Sequence, residues 1–112
     1  MARLLPLTLN EGNDETVALT VDAPVTLTLS ACTFELFIKA TADTADSSAT
    51  KLTVGAGITI DTTAATARSI DLTAIVPAAA LATPGKRFWR LDLLVSSARH
   101  TALYGPLTIR NL

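Results

Sequence analysis

Three features of the sequence predict an all-β fold. Apolar residues recur at every second position through most of the chain, as in strands with one buried face. Thr and Val, whose branched side chains favour strands, are abundant. Turn-forming residues separate these runs at intervals of about 8 to 12 residues. With 112 residues, the chain fits a single domain over 1–112 that can bury a core without disulfides or a metal.

The first half of the chain contains four predicted strands. They cover Leu5–Leu9, Val17–Val21, Val25–Leu29 and Thr33–Ala42. The second and third form either a tight hairpin or one bent strand. Phe37 lies on the polar side of the fourth strand, where we expect it beneath a loop or, alternatively, in a subunit contact. Cys32 is the only cysteine, and we expect a buried structural thiol there.

The second half begins with Asp43–Thr50, which has no large apolar residue and predicts an exposed, mobile loop. Strands are predicted at Lys51–Val54, Ile58–Asp61 and Ala67–Thr73, with turns at Gly55–Gly57 and Thr62–Thr66. Ala74–Thr83 predicts one short helix, because Pro77 suits a first helical turn and the alanines that follow favour helix.

The segment Lys86–Ile109 predicts a β-hairpin at the centre of the sheet. Its expected buried face carries the only Trp of the chain and comprises Trp89, Leu91, Leu93, Val95, Leu107 and Ile109. Ser96–Thr101 is the expected polar loop between the two strands. About eight short strands and one helical crossover therefore predict an antiparallel immunoglobulin-like β-sandwich. The chain has no Cys-Trp-Cys spacing, which excludes an antibody-type domain.

Composition narrows the function classes. The net charge of −1 indicates neither a nucleic-acid nor an anionic-membrane partner. No apolar run approaches the ~20 residues of a membrane span. Only 17% of residues are charged, below the ~25% of typical domains, which favours a subunit of an assembly or reflects an Ala-rich coding bias. The short, Pro-interrupted apolar start lacks a signal-peptide core, so we expect a protein made in a reducing cytoplasm.

Charge is unevenly distributed along the chain. The first 50 residues hold seven of the ten acidic residues but only two of the nine basic ones. If the two halves form opposite ends of the domain, an acidic and a basic pole would suit head-to-tail or ring contacts. The alternative is that the charges neutralise each other within the fold.

No constellation in the sequence demands catalysis, and we expect neither an enzyme nor a bound cofactor. His100, the only histidine, is expected to be solvated in a loop beside Arg99. Asp43 and Asp46, with the serines that follow, lack the spacing and the closing Glu of an EF-hand calcium loop, so a solvated loop is the preferred interpretation. We therefore predict no metal site.

Two further motifs have simple structural explanations. Gly55–Gly57 resembles a phosphate loop but lacks the following Lys and Ser or Thr, so a turn explains it better. Lys86 and Arg87 precede Phe88 and Trp89, a combination found in nucleic-acid sites. Because Trp89 belongs to the buried side of the hairpin, the two cations are better interpreted as polar residues at the start of a strand.

The outer face of the hairpin is the best candidate for an interaction surface. Phe88, Arg90, Leu94 and Tyr104 point outward in the predicted alternation, and this face is apolar for a solvent-exposed one. Asp92 shares the same face. The alternative is that these are scattered surface aromatics with no common role.

The order of these segments resembles a family. An acidic turn follows the first strand, an Ala-rich stretch with Pro-Gly precedes the hairpin, and several strands carry matching runs. These runs are F-E-L-F-I-K, G-I-T-I-D at Gly57–Asp61, I-D-L-T at Ile70–Thr73, W-R-L-D-L-L-V and Y-G-P-L-T-I. The pattern resembles the immunoglobulin-like β-sandwich modules of tailed bacteriophages, such as the N-terminal domain of baseplate upper proteins and related tail or fibre-attachment domains. The resemblance covers nearly the whole chain.

This resemblance implies a non-enzymatic virion protein, assembled in the host cytoplasm, that docks to other virion structural proteins and forms a homo-oligomer. Because no coiled-coil or receptor-binding part follows Leu112, a tail or baseplate adaptor, a collar or a capsid decoration protein is expected rather than a complete fibre. The alternative is a carbohydrate-binding module for host-surface recognition, suggested by Phe88, Tyr104 and the exposed loops.

Overall fold

The computed structural model describes residues 3–22, 29, 32–61, 69–95 and 98–111. Within these ranges nine strands form one mixed sheet that curls into a half-barrel. The strands are β1 (Arg3–Leu4), β2 (Leu7–Asn10), β3 (Glu15–Asp22), β4 (Thr33–Lys39), β5 (Thr50–Val54), β6 (Gly57–Asp61), β7 (Ser69–Val76), β8 (Gly85–Val95) and β9 (Ala98–Arg110). Two 3-10 turns cover Asp46–Ser48 and Ala78–Leu81.

The sheet confirms the all-β prediction and corrects its finer architecture. The strands follow the order β1-β9-β8-β4-β5-β6-β7-β3, and β2 also pairs with β9. The pairs β1–β9, β2–β9 and β5–β6 are parallel, whereas the others are antiparallel. This is one curled mixed sheet, so the expected antiparallel two-sheet sandwich of immunoglobulin type does not describe it.

The predicted helix over Ala74–Thr83 is wrong. Ala74 and Val76 are buried and continue the alternation of Ile70 and Leu72, so β7 extends to Val76. Pro77 then takes an extended conformation, and a single 3-10 turn follows. Alternating burial has overridden the helix propensity of the alanines, and within the described ranges no helical crossover connects the strands.

The other predicted strands agree with the structure where it describes them. The first forms as β2, which begins at Leu7, and the short β1 that precedes Leu5 was not predicted. The second and fourth strands form as β3 and β4, and the next two form as β5 and β6. Gly55 takes a positive φ of 87° in the turn between β5 and β6, as expected for a Gly turn. Of the third strand only Leu29, which is buried, lies within the described residues. Thr62–Thr66 and Arg68 lie outside them.

The hairpin of β8 and β9 is longer than predicted. β9 begins at Ala98, within the expected loop, and Ala98 lies opposite Val95 at the end of β8. Residues 96–97 lie outside the described residues. His100 therefore belongs to β9, although its predicted exposure is confirmed. Leu91 pairs with Leu103 but Asp92 pairs with Thr101, so Ala102 is an extra residue that forms a β-bulge.

The concave side of the sheet holds the core, and the hairpin supplies its centre. Trp89, Leu91 and Leu93 are fully buried, which confirms the predicted inner face. Leu107 and Ile109 are also buried, and Val95 is half-buried. Leu81 of the second 3-10 turn contributes a fully buried side chain. Cys32 is buried as predicted, and burial raises the pKa of its thiol.

Candidate interaction surface

The outer face of β4, β5, β8 and β9 carries two different regions side by side. We name the first the ion cluster, which comprises Glu35, Phe37, Lys39, Asp46, Lys51, Arg90, Asp92 and Arg99. We name the second the aromatic groove, which is lined by Leu4, Ala40, Thr41, Ala42, Lys86, Arg87, Phe88, Tyr104, Gly105 and Pro106.

The bulge at Ala102 assembles the ion cluster. Tyr104 faces outward opposite Arg90, and an unbroken alternation would place Ala102 and His100 on the same outward side. The extra residue reverses the alternation, so Thr101 and Arg99 face outward instead. This reversal brings both side chains to the carboxylate of Asp92.

Asp92 is a fully buried carboxylate at the centre of the ion cluster. Its Oδ1 accepts a bond from Arg90 Nε at 2.9 Å and one from Thr101 Oγ1 at 3.2 Å. Its Oδ2 accepts a bond from Arg99 Nη1 at 2.8 Å. Burying a charge is costly unless it is paired and hydrogen-bonded, and here both oxygens are satisfied. Asp92 lies on the outer face as its position in the alternation predicts, but the alternation gives no sign of its burial.

The ion pairs form one continuous chain of alternating charge. Its members, in order, are Lys51, Glu35, Arg99, Asp92, Arg90, Asp46 and Lys39. Arg99 Nη2 lies 2.8 Å from Glu35, and Arg90 Nη2 lies 2.8 Å from Asp46. Acids from the first half of the chain thus meet bases from the second half, which supports internal neutralisation over separate poles.

Phe37 lies under this chain of charges. Its side chain is only 3% exposed, and the guanidinium carbon of Arg90 lies 4.7 Å from the ring centroid. Arg99 and Lys51 lie over the same ring at 5.7 and 6.0 Å. Cation–π contacts of this kind strengthen when they are shielded from water. Phe37 lines a pocket together with Asp46 and Ser47 of the exposed turn, which favours the loop interpretation.

The pKa values reflect this pairing. Hydrogen bonds from Arg90 and then Lys39 lower the pKa of Asp46 to about 2. Burial raises the pKa of Glu35, but hydrogen bonds from Arg99 and Lys51 outweigh it, so the net shift is downward. Both lowered pKa values keep the carboxylates of Glu35 and Asp46 charged at neutral pH.

The Asp46–Ser48 turn is exposed, as predicted for this loop. The carboxylate of Asp46 is occupied by Lys39 Nζ at 2.6 Å and by Arg90. Among the residues that the structure describes, no group of three or more His, Cys, Asp or Glu side chains is placed to hold a metal ion.

The aromatic groove lies on the same face, toward the first strand. It has a volume of about 370 Å³. The rings of Phe88 and Tyr104 lie 6.5 Å apart between centroids and are tilted by 40°. Leu4, which pairs with Tyr104 across β1 and β9, is 58% exposed. An exposed Leu thus lies beside two half-buried aromatic rings, and this makes the groove the candidate interaction surface of the sheet.

A close approach of two backbones builds the base of this groove. The carbonyl of Leu5 accepts a bond from Trp89 Nε1 at 2.8 Å, while the amide of Leu5 donates to Tyr104 O. A Cβ at position 105 would lie 2.6 Å from Leu5 O, so only Gly fits there. Gly105 thus lets β1 approach the sheet and place Leu4 beside Tyr104.

The groove carries two cations that have no carboxylate partner among the described residues. Lys86 is exposed and forms no ion pair within the described part of the chain. Arg87 donates to two backbone carbonyls, Lys86 O at 2.9 Å and Thr83 O at 3.4 Å. No acidic side chain is among the residues that line the groove. The groove therefore combines an apolar surface with positive charge.

The predicted surface residues fall into separate regions. Phe88 and Tyr104 both line the aromatic groove, whereas Arg90 belongs to the ion cluster. Leu94 is half-buried near the far end of β8, opposite Thr33 and Arg99, and lines neither region. Sequence reasoning missed Leu4 and Pro106, because their proximity to Tyr104 and Phe88 depends on strand pairing over long sequence distances.

Sequence similarity to known proteins assigns no function to this chain. The sequence matches no protein-family model and no curated protein. No helix in the described part of the chain has the length and apolar character needed to cross a membrane.

Proposed function

We propose that this chain is a non-enzymatic structural protein that acts through protein–protein contacts at its aromatic groove. The observation that carries the proposal is the exposed apolar surface formed by Leu4, Phe88 and Tyr104. These side chains lie on paired strands of the sheet, and aromatic residues are typical anchors of protein interfaces.

The assembly to which it contributes is, in this proposal, the virion of a tailed bacteriophage. The support is the segment order of the sequence, which resembles immunoglobulin-like modules of phage tails and baseplates. The weakly charged composition, with 17% charged residues, suits a subunit with several neighbours. A tail or baseplate adaptor, a collar and a capsid decoration protein are the roles that this proposal covers, in each case as a homo-oligomer in contact with other virion proteins.

Mass spectrometry of gradient-purified particles tests the virion assignment. The particles should come from a lysate in which the gene is expressed from its natural locus. The chain should copurify with particles at a constant ratio to the major capsid protein. Its absence from intact particles would refute the assignment, and light scattering of the purified chain would separately report whether it forms an oligomer.

A carbohydrate-binding module is the second candidate, and the tilted ring pair of Phe88 and Tyr104 favours it. Aromatic rings in a shallow groove offer faces on which sugar rings can stack, and Thr41 adds a hydroxyl at the rim. Glycan-array binding that is lost in Tyr104→Ala would support this function. A blank array would argue against it.

A further inference from the structure

We infer that the occupant of the aromatic groove is an acidic, apolar peptide segment of a partner protein. This inference rests on the proposed protein-binding function and specifies the chemistry of the partner. Charge complementarity supports it, because the cations of the ion cluster are paired with carboxylates whereas those of the groove are not paired within the described residues.

The charged side chains of the ion cluster are paired with one another. Arg90 and Arg99 each bind two carboxylates, and Glu35, Asp46 and Asp92 each contact two cationic side chains. The cluster has four cations and three carboxylates, and every one of its cations already contacts at least one carboxylate. Recognition of an anion on this face is therefore better served by positive charge that has no carboxylate partner.

The aromatic groove supplies that charge. Lys86 precedes Phe88 on β8 and faces the same side of the sheet, opposite Thr108. Neither Lys86 nor Arg87 forms an ion pair within the described residues, and no carboxylate lines the groove. A ligand with apolar groups for Phe88 and Tyr104 and an adjacent carboxylate would satisfy both properties of the groove.

A peptide fits these requirements better than a glycan. Leu4 is the most exposed large apolar residue within the described ranges, and Pro106 adds a second exposed apolar contact. Neutral sugars gain most from hydrogen-bonding side chains, whereas the groove offers mainly apolar ones together with two cations. Side chains such as Leu or Phe beside Asp or Glu match the apolar and charged parts together.

Selection from a yeast-displayed library of random twelve-residue peptides tests this inference on the intact protein. The bait proteins are the wild type, Tyr104→Ser and Lys86→Glu, with Lys51→Glu as a matched charge reversal in the ion cluster. Trp89 fluorescence and urea unfolding confirm that each bait is folded. Peptides enriched on the wild type should combine Asp or Glu with aromatic or aliphatic residues. Their affinity should fall at least about tenfold for Tyr104→Ser and for Lys86→Glu and remain within about twofold for Lys51→Glu.

The possible outcomes separate the inference from the proposed function. Enrichment of neutral or basic peptides that still depend on Tyr104 would overturn the acidic assignment and leave protein binding intact. If no enriched peptide needs Tyr104 for binding, while binding to a glycan array does need Tyr104, both the acidic-peptide inference and the proposed protein-binding function are overturned. Equal losses in Lys86→Glu and Lys51→Glu would show that general charge, rather than the groove, determines binding.

Discussion

The ion cluster and the aromatic groove lie on one face of the sheet but differ in the pairing of their charges and in the exposure of their apolar side chains. In the ion cluster seven charged side chains alternate in sign, and the central carboxylate of Asp92 is fully buried. In the groove an exposed Leu4 and two aromatic rings lie beside cations that have no carboxylate partner in the described residues. The charges of the cluster are paired with one another, whereas the apolar side chains and cations of the groove have no such partners within the described residues. Charge density alone therefore does not identify a binding surface, because paired charges serve the fold.

The largest expected effect is the loss of folding stability when Asp92, at the centre of the ion cluster, is replaced. Asp92→Ala leaves Arg90 and Arg99 with one carboxylate each and should lower the free energy of unfolding by about 3 kcal/mol. Urea unfolding measures the loss. Asp71→Ala is the matched control, because that carboxylate accepts an exposed bond from Thr20 Oγ1, and its cost should stay below about 1 kcal/mol. Equal losses in both variants would show that the ion cluster has no special structural role.

A smaller loss is expected at the junction of β1 with the sheet. Gly105→Ala would place a methyl group 2.6 Å from Leu5 O, which has to move. We expect a loss of about 2 kcal/mol, from this steric overlap and from weakening of the bond to Trp89 Nε1. Trp89 fluorescence should shift, and groove binding should weaken together with stability. A variant with unchanged fluorescence and binding would show that β1 does not build the groove.

The next effect concerns acid stability. Because the pKa of Asp46 is about 2 in the folded protein, below the ~3.9 of an unfolded Asp, the folded state binds fewer protons. The stabilisation is full above about pH 4 and is lost as the pH falls toward about 2. Its size is reduced by solvent screening, since Asp46 is 46% exposed.

Asp46→Asn should therefore make unfolding less dependent on pH between about 4 and 2, as measured by urea midpoints at several pH values. Asp43→Asn is the control in the same exposed loop, because Asp43 forms no ion pair within the described part of the chain. Its acid slope should match that of the wild type. An unchanged slope in Asp46→Asn would contradict the assigned role of this ion pair.

The smallest stability effect is expected in the groove itself. Lys86→Glu changes an exposed side chain without an ion-pair partner in the described residues, so unfolding should change by less than about 0.5 kcal/mol. Urea unfolding checks this. A loss comparable to that of Asp92→Ala would show that Lys86 is structural, and the contrast between the two regions would disappear.

The hairpin was largely predictable from the sequence, because its period-2 pattern correctly assigns Trp89, Leu91 and Leu93 to the buried face. The same alternation continues through Ala74 and Val76, where the Ala-rich composition led to a helix prediction instead. Local propensity was the weaker signal at that point.

The candidate surface was only partly predictable. Phe88 and Tyr104 were identified from their outward positions, but the groove also needs Leu4, which pairs with β9 about a hundred residues later. The burial of Asp92 depends on the bulge at Ala102, which reverses the alternation of β9. Nothing in the local sequence marks that extra residue, since Thr101, Ala102 and Leu103 are all compatible with a regular strand.

The most direct test of this division of the sheet face uses 8-anilinonaphthalene-1-sulfonate, a fluorescent probe that is both aromatic and anionic. The folded wild type should bind it at one saturable site under native conditions. Affinity should fall at least about tenfold in Tyr104→Ser and in Lys86→Glu, and stay within about twofold in Lys51→Glu. Absence of native-state binding, or a greater loss in Lys51→Glu than in Tyr104→Ser, would contradict the assignment of the binding surface to the groove.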